Sequence, residues 1–324
     1  MRIGWIEVLK KVYGETVYTG MAQTALSQRH DLEIINVGLD HFRAYLYPQI
    51  LSRLCRISGE KDLWIRNFDS VMTLPFDGTK GKNVAMIFHI DHSFQPIPLR
   101  PLFGIWEKVF YHQLNKADAI VTISQYWQTH FQDRGYANVY LIYNAFDISA
   151  FHFEVEEVSE FKKRFKLQGK PILYLGNCQR IKGVVEAYER LKDMGVHLVT
   201  SGRKDVDLPI INLNLDYRDY LLLLKSSSVV LTMSKFKEGW NRTAHEAMLC
   251  QTPVVGSGLG GMKELLEGGN QILCEDFKDL KGLVSFALDH PEIGKKGFEF
   301  AEQFTVERFN DAWIRLIERL NEEG

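Results

Sequence analysis

Cysteine is scarce in this chain. Its four residues, Cys55, Cys178, Cys250 and Cys274, never form a Cys-x-x-Cys pair. That spacing excludes a cysteine zinc knuckle and offers no disulfide framework. Long apolar runs are missing too: none approaches the roughly 18 residues of a membrane-spanning helix. Neither charge is in excess, with 39 Lys and Arg against 41 Asp and Glu and a net charge of -2. Residues 1–150 hold 15 basic and 14 acidic side chains, so neither half has the positive field of a nucleic-acid binder. Fixed-period repeats and low-complexity segments are absent. The opening Met1-Arg2-Ile3-Gly4-Trp5-Ile6 reads as an immediate strand, not a signal peptide. The expected setting is the reduced cytoplasm, with peripheral contact to a membrane surface left open and no nucleic-acid partner.

What is present is ordinary for a folded enzyme. The 324 residues are 45% hydrophobic, 12% aromatic and 25% charged, which suits two domains with large cores. Short apolar runs alternate with helical patterns. The pattern predicts strands at 2–8, 32–37, 84–89, 119–123 and 139–142, then at 171–175, 197–200, 229–233 and 253–255. Continuous apolar strands between helices predict parallel sheets covered on both faces. Two series predict an α/β protein of two doubly wound domains, with ligands beyond the carboxyl ends of the strands. The pattern breaks near 148–170, where Phe151-His152-Phe153 precedes a charged, solvated helix over 154–166. The expected domains are 1–150 and 151–304, followed by a helix over 305–324 with Phe309, Trp313, Leu316, Ile317 and Leu320 on one face. Residues 46–57 predict an amphipathic helix with Gln49, Arg53 and Arg56 on its polar side.

One segment carries the chemistry. From Leu231 to Gly256 the chain reads strand, loop, helix, strand, with Glu238 in the loop and Glu246 about a turn into the helix. The spacing aims both carboxylates at the mouth of the sheet, where each can accept hydrogen bonds from a sugar or ribose diol. Free amides at the helix start, over 240–243, suit a phosphate. The competing reading is a capping box, Thr243-x-x-Glu246, in which Glu246 only ties down the helix start. Upstream, Gly176 follows a strand and lets a ligand approach the backbone, and Lys182 can neutralise a diphosphate.

The segment resembles retaining glycosyltransferases of family 4 (glycosyl transferases group 1), which have the GT-B fold. Ser234, Glu238-Gly239-Trp240, Glu246-Ala247-Met248 and Pro253-Val254-Val255 match in order and spacing, as does Gly176 followed by Lys182-Gly183. Where the family has Arg after that glycine, this chain has Asn177, with Arg180 three residues on. The resemblance implies two Rossmann-like domains with an interdomain cleft, the last helix returning to the first. It implies a nucleotide-diphosphate sugar as co-substrate, UDP- or GDP-linked, and a glycan, lipid-linked or small-molecule acceptor. No separate cofactor and no metal are implied. Glu238, Lys182 and His89 then serve catalysis. Glu246, Gly176, Asn177, Arg180, Gly239, Trp240, Asn241, Arg242, Thr243 and Asn212 bind the donor. Gly14, Asp91 and His92 lie on the acceptor side or its loop. Lys116 to Ser124 and Asn144 to Asp147 resemble family scaffold segments.

Three decoys compete. Gly256-x-Gly258-x-x-Gly261 follows a strand as a dinucleotide fingerprint does, with Glu275 and Asp276 downstream, and suggests an NAD(P)-dependent oxidoreductase. That fingerprint belongs on the first strand of its domain, and here too little chain follows. Asp205-Val206-Asp207 mimics a metal-binding pair, but its polar setting predicts a solvated turn. His89, Asp91 and His92 lack a clustered further ligand for a metal. A non-catalytic nucleotide-sugar binder is the remaining alternative.

Overall fold

The computed structural model describes residues 1–9, 14–39, 47–91 and 100–322. The chain divides into two compact units, one of 1–145 with 306–324, the other of 146–305.

In the first unit, β1 (Arg2–Leu9) buries Ile3, Trp5, Ile6 and Val8 on both of its faces, as a central parallel strand must. The chain continues through α1 (Gly14–Ser27), β2 (Asp31–Leu39), α2 (Tyr47–Leu54), β3 (Ser58–Arg66), α3 (Phe68–Val71) and β4 (Gly78–Met86). It then forms α4 (Arg100–Leu114), β5 (Ala119–Thr122), α5 (Gln125–Gln132) and β6 (Val139–Leu141). The strands make one sheet in the order β2-β1-β3-β4-β5-β6. Every pairing in it is parallel.

The sequence pattern misses β3 and the first half of β4. Their openings are polar and exposed, and the strands are apolar only where they enter the core. Arg66 at the end of β3 is buried and donates to Asp77, Thr79, Asn83 and the Ser70 carbonyl. A buried guanidinium is tolerable only when so fully bonded. It ties β3, the turn after α3 and β4 together. The predicted amphipathic helix is α2; Ile50 and Leu54 pack with Ile6, Val8 and Trp64 of its own unit.

In the second unit the order is α6 (Val155–Arg164), β7 (Ile172–Asn177), α7 (Val184–Leu191), β8 (His197–Ser201), β9 (Ile211–Leu213), α8 (Tyr217–Ser226) and β10 (Val229–Thr232). There follow α9 (Arg242–Leu249), β11 (Val254–Gly256), α10 (Met262–Gly268), β12 (Ile272–Leu273), α11 (Leu280–Asp289) and α12 (Ile293–Ala301). The sheet order is β12-β11-β10-β7-β8-β9. The pattern misses β9 and β12, which are three and two residues long and too short to show a period. Phe146 opens this unit, donating its N–H to the Phe304 carbonyl at 3.0 Å.

The last helix, α13 (Val306–Glu322), belongs to the first unit. Phe309, Trp313, Leu316, Ile317 and Leu320 are buried. Trp313 meets Trp5 at 5.9 Å and Phe309 meets Tyr18 of α1 edge-on at 4.9 Å. Among the described residues no helix is long and apolar enough to cross a membrane.

Candidate functional site

In the second unit β7 and β10 are neighbours, but their crossovers run to opposite sides. That reversal opens a crevice beyond the carboxyl ends of the strands, where doubly wound sheets take ligands. Gly176, the last but one residue of β7, stands there with φ +93°, a left-handed conformation that favours glycine. Gly183, at φ +72°, sits so close to the next loop that a Cβ would lie 2.3 Å from the Met233 carbonyl. Lys235 N–H also donates to Ile181 O at 2.9 Å, so the loops after β7 and β10 are locked together.

That lock places Lys182 against Glu238. Lys182 Nζ donates to Glu238 Oε1 at 2.6 Å and lies 4.8 Å from the Phe236 ring centroid. Ser234 Oγ donates to the same oxygen at 2.6 Å, and Asn241 Nδ2 at 3.3 Å. Glu238 is buried while Lys182 is partly exposed, so the ammonium is the outward group. The glycine run after β11 braces this loop. Glu238 N–H donates to Leu259 O at 3.1 Å, and Gly261 N–H donates to Glu238 O at 2.9 Å. At Gly260, φ +70°, a Cβ would stand 2.4 Å from Glu238 O. The run that looked like a dinucleotide fingerprint follows the fifth strand of its unit and holds Glu238 in place.

Glu246 sits in a different environment. It is 4% exposed on α9. Tyr217 OH and Arg242 Nη2 donate to its Oε1 at 3.3 and 3.2 Å, and Tyr220 OH donates to its Oε2 at 3.1 Å. Burial raises its pKa above the usual carboxylate value, against the opposing pull of Arg242 and the hydroxyls. Arg242 also lies over the Phe146 ring at 4.3 Å. The capping-box reading fails: the N-cap of α9 is Asn241, whose Oδ1 accepts from Ala244 N–H at 2.9 Å. Glu246 is a mid-helix residue facing tyrosines.

Residues 169–290 match the family model described as Glycosyl transferases group 1. Over these residues the chain is similar to that family. Trehalose synthase of Pyrococcus horikoshii is 30% identical over 96 residues, covering 29% of this chain and 23% of that protein. The chain therefore spans less than a quarter of that relative's length. Sucrose-phosphate synthase from Thermosynechococcus elongatus superposes with a TM-score of 0.80 at 16% identity, covering 100% of both chains. Anabaena HepE in complex with UDP-glucose gives 0.77 at 18% identity, covering 98% of this chain and 100% of that one. The fold is GT-B: two Rossmann-like units, each a parallel sheet flanked by helices.

Other residues of the second unit occupy distinct places. Asn177 ends β7, exposed, its Oδ1 accepting from Ser201 Oγ at 3.3 Å. Arg180 is exposed in the turn before Lys182. Gly239 is buried, and Thr243 Oγ1 meets Tyr220 OH at 3.1 Å. Trp240 turns into the core: its indole N–H donates to His245 Nδ1 at 3.1 Å and its ring packs on Phe304. Asn212 ties β9 to its neighbours, accepting from Thr200 Oγ1 and donating to Gly202 O, each at 3.0 Å. Asp205 pairs with Arg203 and Asp207 with Lys204, as a solvated turn would.

The structure does not gather every expected residue into this network. Gly14 begins α1, and His89, exposed, and Asp91 follow β4, all in the first unit. His92 lies outside the described residues. Among the described residues no group of three or more His, Cys, Asp or Glu could hold a metal ion. The sequence reading missed Tyr217 and Tyr220, and did not rank Ser234 as a site residue. Ser234 had a usable signal in its offset of four from Glu238. The tyrosines lie on α8, nearly thirty residues before Glu246, with no motif to announce them.

Proposed function

We propose that the protein is a retaining glycosyltransferase that moves a sugar from a nucleoside-diphosphate donor to an acceptor hydroxyl on a glycan, lipid-linked or small-molecule substrate. The observation that carries this reading is the placement of Lys182, Ser234 and Glu238 at the reversal between β7 and β10, with Glu246 one loop and a helical turn onward. UDP-glucose bound to the similarly folded HepE supports a uridine donor.

The diphosphate lies at Lys182, with Arg180 beside it and the amides at the start of α9 facing it. Glu246 accepts the ribose hydroxyls, and Glu238 faces the donor sugar. The base lies near 212–215. In this scheme the first unit takes the acceptor. The acceptor oxygen attacks the anomeric carbon from the face the phosphate leaves. The carbon–oxygen bond to phosphate breaks, the new glycosidic bond forms, and the acceptor proton passes to the departing phosphate oxygen. Lys182 stabilises the charge growing on the diphosphate, where a fixed cation helps more than it does in the ground state. No metal takes part in this scheme.

The test is product stereochemistry. Proton NMR of the product formed from an α-linked UDP- or GDP-sugar should show an α-linkage, with turnover undiminished by EDTA. A β-linked product removes the retaining mechanism. Failure of the chain to bind either nucleotide removes the donor reading.

A further inference from the structure

We propose that Tyr217 is a displaceable stand-in for the donor ribose, occupying Glu246 until the nucleotide arrives and setting donor affinity by competition. The inference rests on Glu246 being the ribose acceptor. The two tyrosines place one hydroxyl on each carboxylate oxygen, Tyr217 at Oε1 and Tyr220 at Oε2. A vicinal diol binds a carboxylate in the same pattern, one hydroxyl per oxygen. The carboxylate is buried, and leaving it without donors would carry the full desolvation penalty, so the free protein must supply hydroxyls of its own.

The two tyrosines are not equivalent. The Tyr220 hydroxyl is shared between Glu246 and Thr243 Oγ1, at 3.1 Å to each, and its ring lies 6.2 Å from that of Tyr174. It has one hydrogen, which goes to the carboxylate while Thr243 donates to it. Tyr217 is 52% exposed and stands at the first position of α8. Its longer bond, 3.3 Å, falls on the oxygen that also accepts from Arg242. Losing Tyr217 therefore leaves that oxygen a donor.

The backbone on either side of Tyr217 is fixed. Asp216 Oδ1 caps α8 by accepting from Asp219 N–H at 2.8 Å. Arg218 donates to the carbonyls of Ala150 and His152, each at 3.0 Å, and to Glu157 at 2.8 Å. Only rotation of the Tyr217 side chain can clear Glu246. The helix stays in place and the ring swings outward, where it is already half in solvent.

Calorimetric titration of UDP and GDP into wild type and Tyr217→Phe tests the proposal. Removing the competing hydroxyl while keeping the ring should tighten the nucleotide that binds by about two- to tenfold, the range of one hydrogen bond. The gain should vanish with the 2′,3′-dideoxy form of that nucleotide, which has no hydroxyls to take the vacated place. Thermal melting confirms that the variant is folded. Unchanged or weaker binding by Tyr217→Phe, or an equal gain with the dideoxy nucleotide, overturns the proposal and leaves the donor reading standing. If wild type binds neither nucleotide, the donor reading fails and this one with it.

Discussion

Glu238 and Glu246 stand eight residues apart in one segment and satisfy their buried carboxylates in different ways. Glu238 is held on a loop by an ammonium, a hydroxyl and an amide, all on one oxygen. Its backbone is clamped at both its N–H and its carbonyl by the glycine run. Glu246 is held on a helix, with phenol hydroxyls on both oxygens and Arg242 on one. The first arrangement fixes a carboxylate beside a cation that can meet a growing negative charge. The second surrounds a carboxylate with hydroxyls, which other hydroxyls can replace. Spacing in the sequence pairs the two residues; their partners give them different work.

Three substitutions should separate the two. Lys182→Ala should act on the chemical step, lowering kcat by about 100- to 1,000-fold, the usual loss of one transition-state donor. Donor Kd should move far less, and an equal loss in both would place Lys182 in ground-state binding only. Glu246→Gln should do the reverse. Losing a charged acceptor costs about 1.5–3 kcal/mol, or roughly ten- to a hundredfold in donor Kd. Because burial lifts the Glu246 pKa, wild-type affinity should fall with acid from a higher pH than an ordinary glutamate would give. The glutamine variant should be flat through that range in the same titration.

Gly260→Ala strikes the brace alone. Its positive φ and the 2.4 Å clash with Glu238 O should lower stability by about 1–3 kcal/mol, read by urea unfolding. Transfer should slow because Glu238 shifts, while nucleotide affinity through Glu246 should hold. A variant with normal kcat would show that the glycine run does not position Glu238.

Legibility followed the length and local character of each signal. The Glu238 and Glu246 segment was readable because strand, loop and helix lie within 26 consecutive residues. The network around Glu246 was not, because Tyr217 and Tyr220 reach it from another helix across a sequence gap. Trp240 shows how little a motif says of a side chain. Its position in the motif speaks for its backbone amide alone, while its side chain serves the core. In the first unit, β3 escaped because Ser58, Gly59, Glu60 and Lys61 break the apolar run before Leu63 begins it. Its anchor, Arg66, is a charged residue in a core position, which hydrophobic periodicity cannot reveal.

His245, the neighbour of Glu246, supplies the smallest effect and tests what holds the second arrangement in place. It is fully buried, stacked on Phe146 at 4.1 Å. The Trp240 indole donates to Nδ1, so Nε2 carries the proton and donates to the Ala301 carbonyl at 3.1 Å. Burial pushes its pKa down to about 3. Unfolded, the ring titrates near its ordinary 6.5. Below that value the unfolded chain takes up a proton that the folded chain refuses. The stability due to this group is therefore complete above pH 6.5 and is lost as pH falls toward 3, at up to about 1.4 kcal/mol per pH unit. Urea midpoints from pH 7 to pH 4 should give a shallower slope for His245→Asn than for wild type, by close to one proton. An unchanged slope would mean the ring is not held neutral. At pH 7 the same variant should weaken donor binding and slow transfer together, because the side chain secures the helix that carries Glu246 and the cap, Asn241, that reaches Glu238.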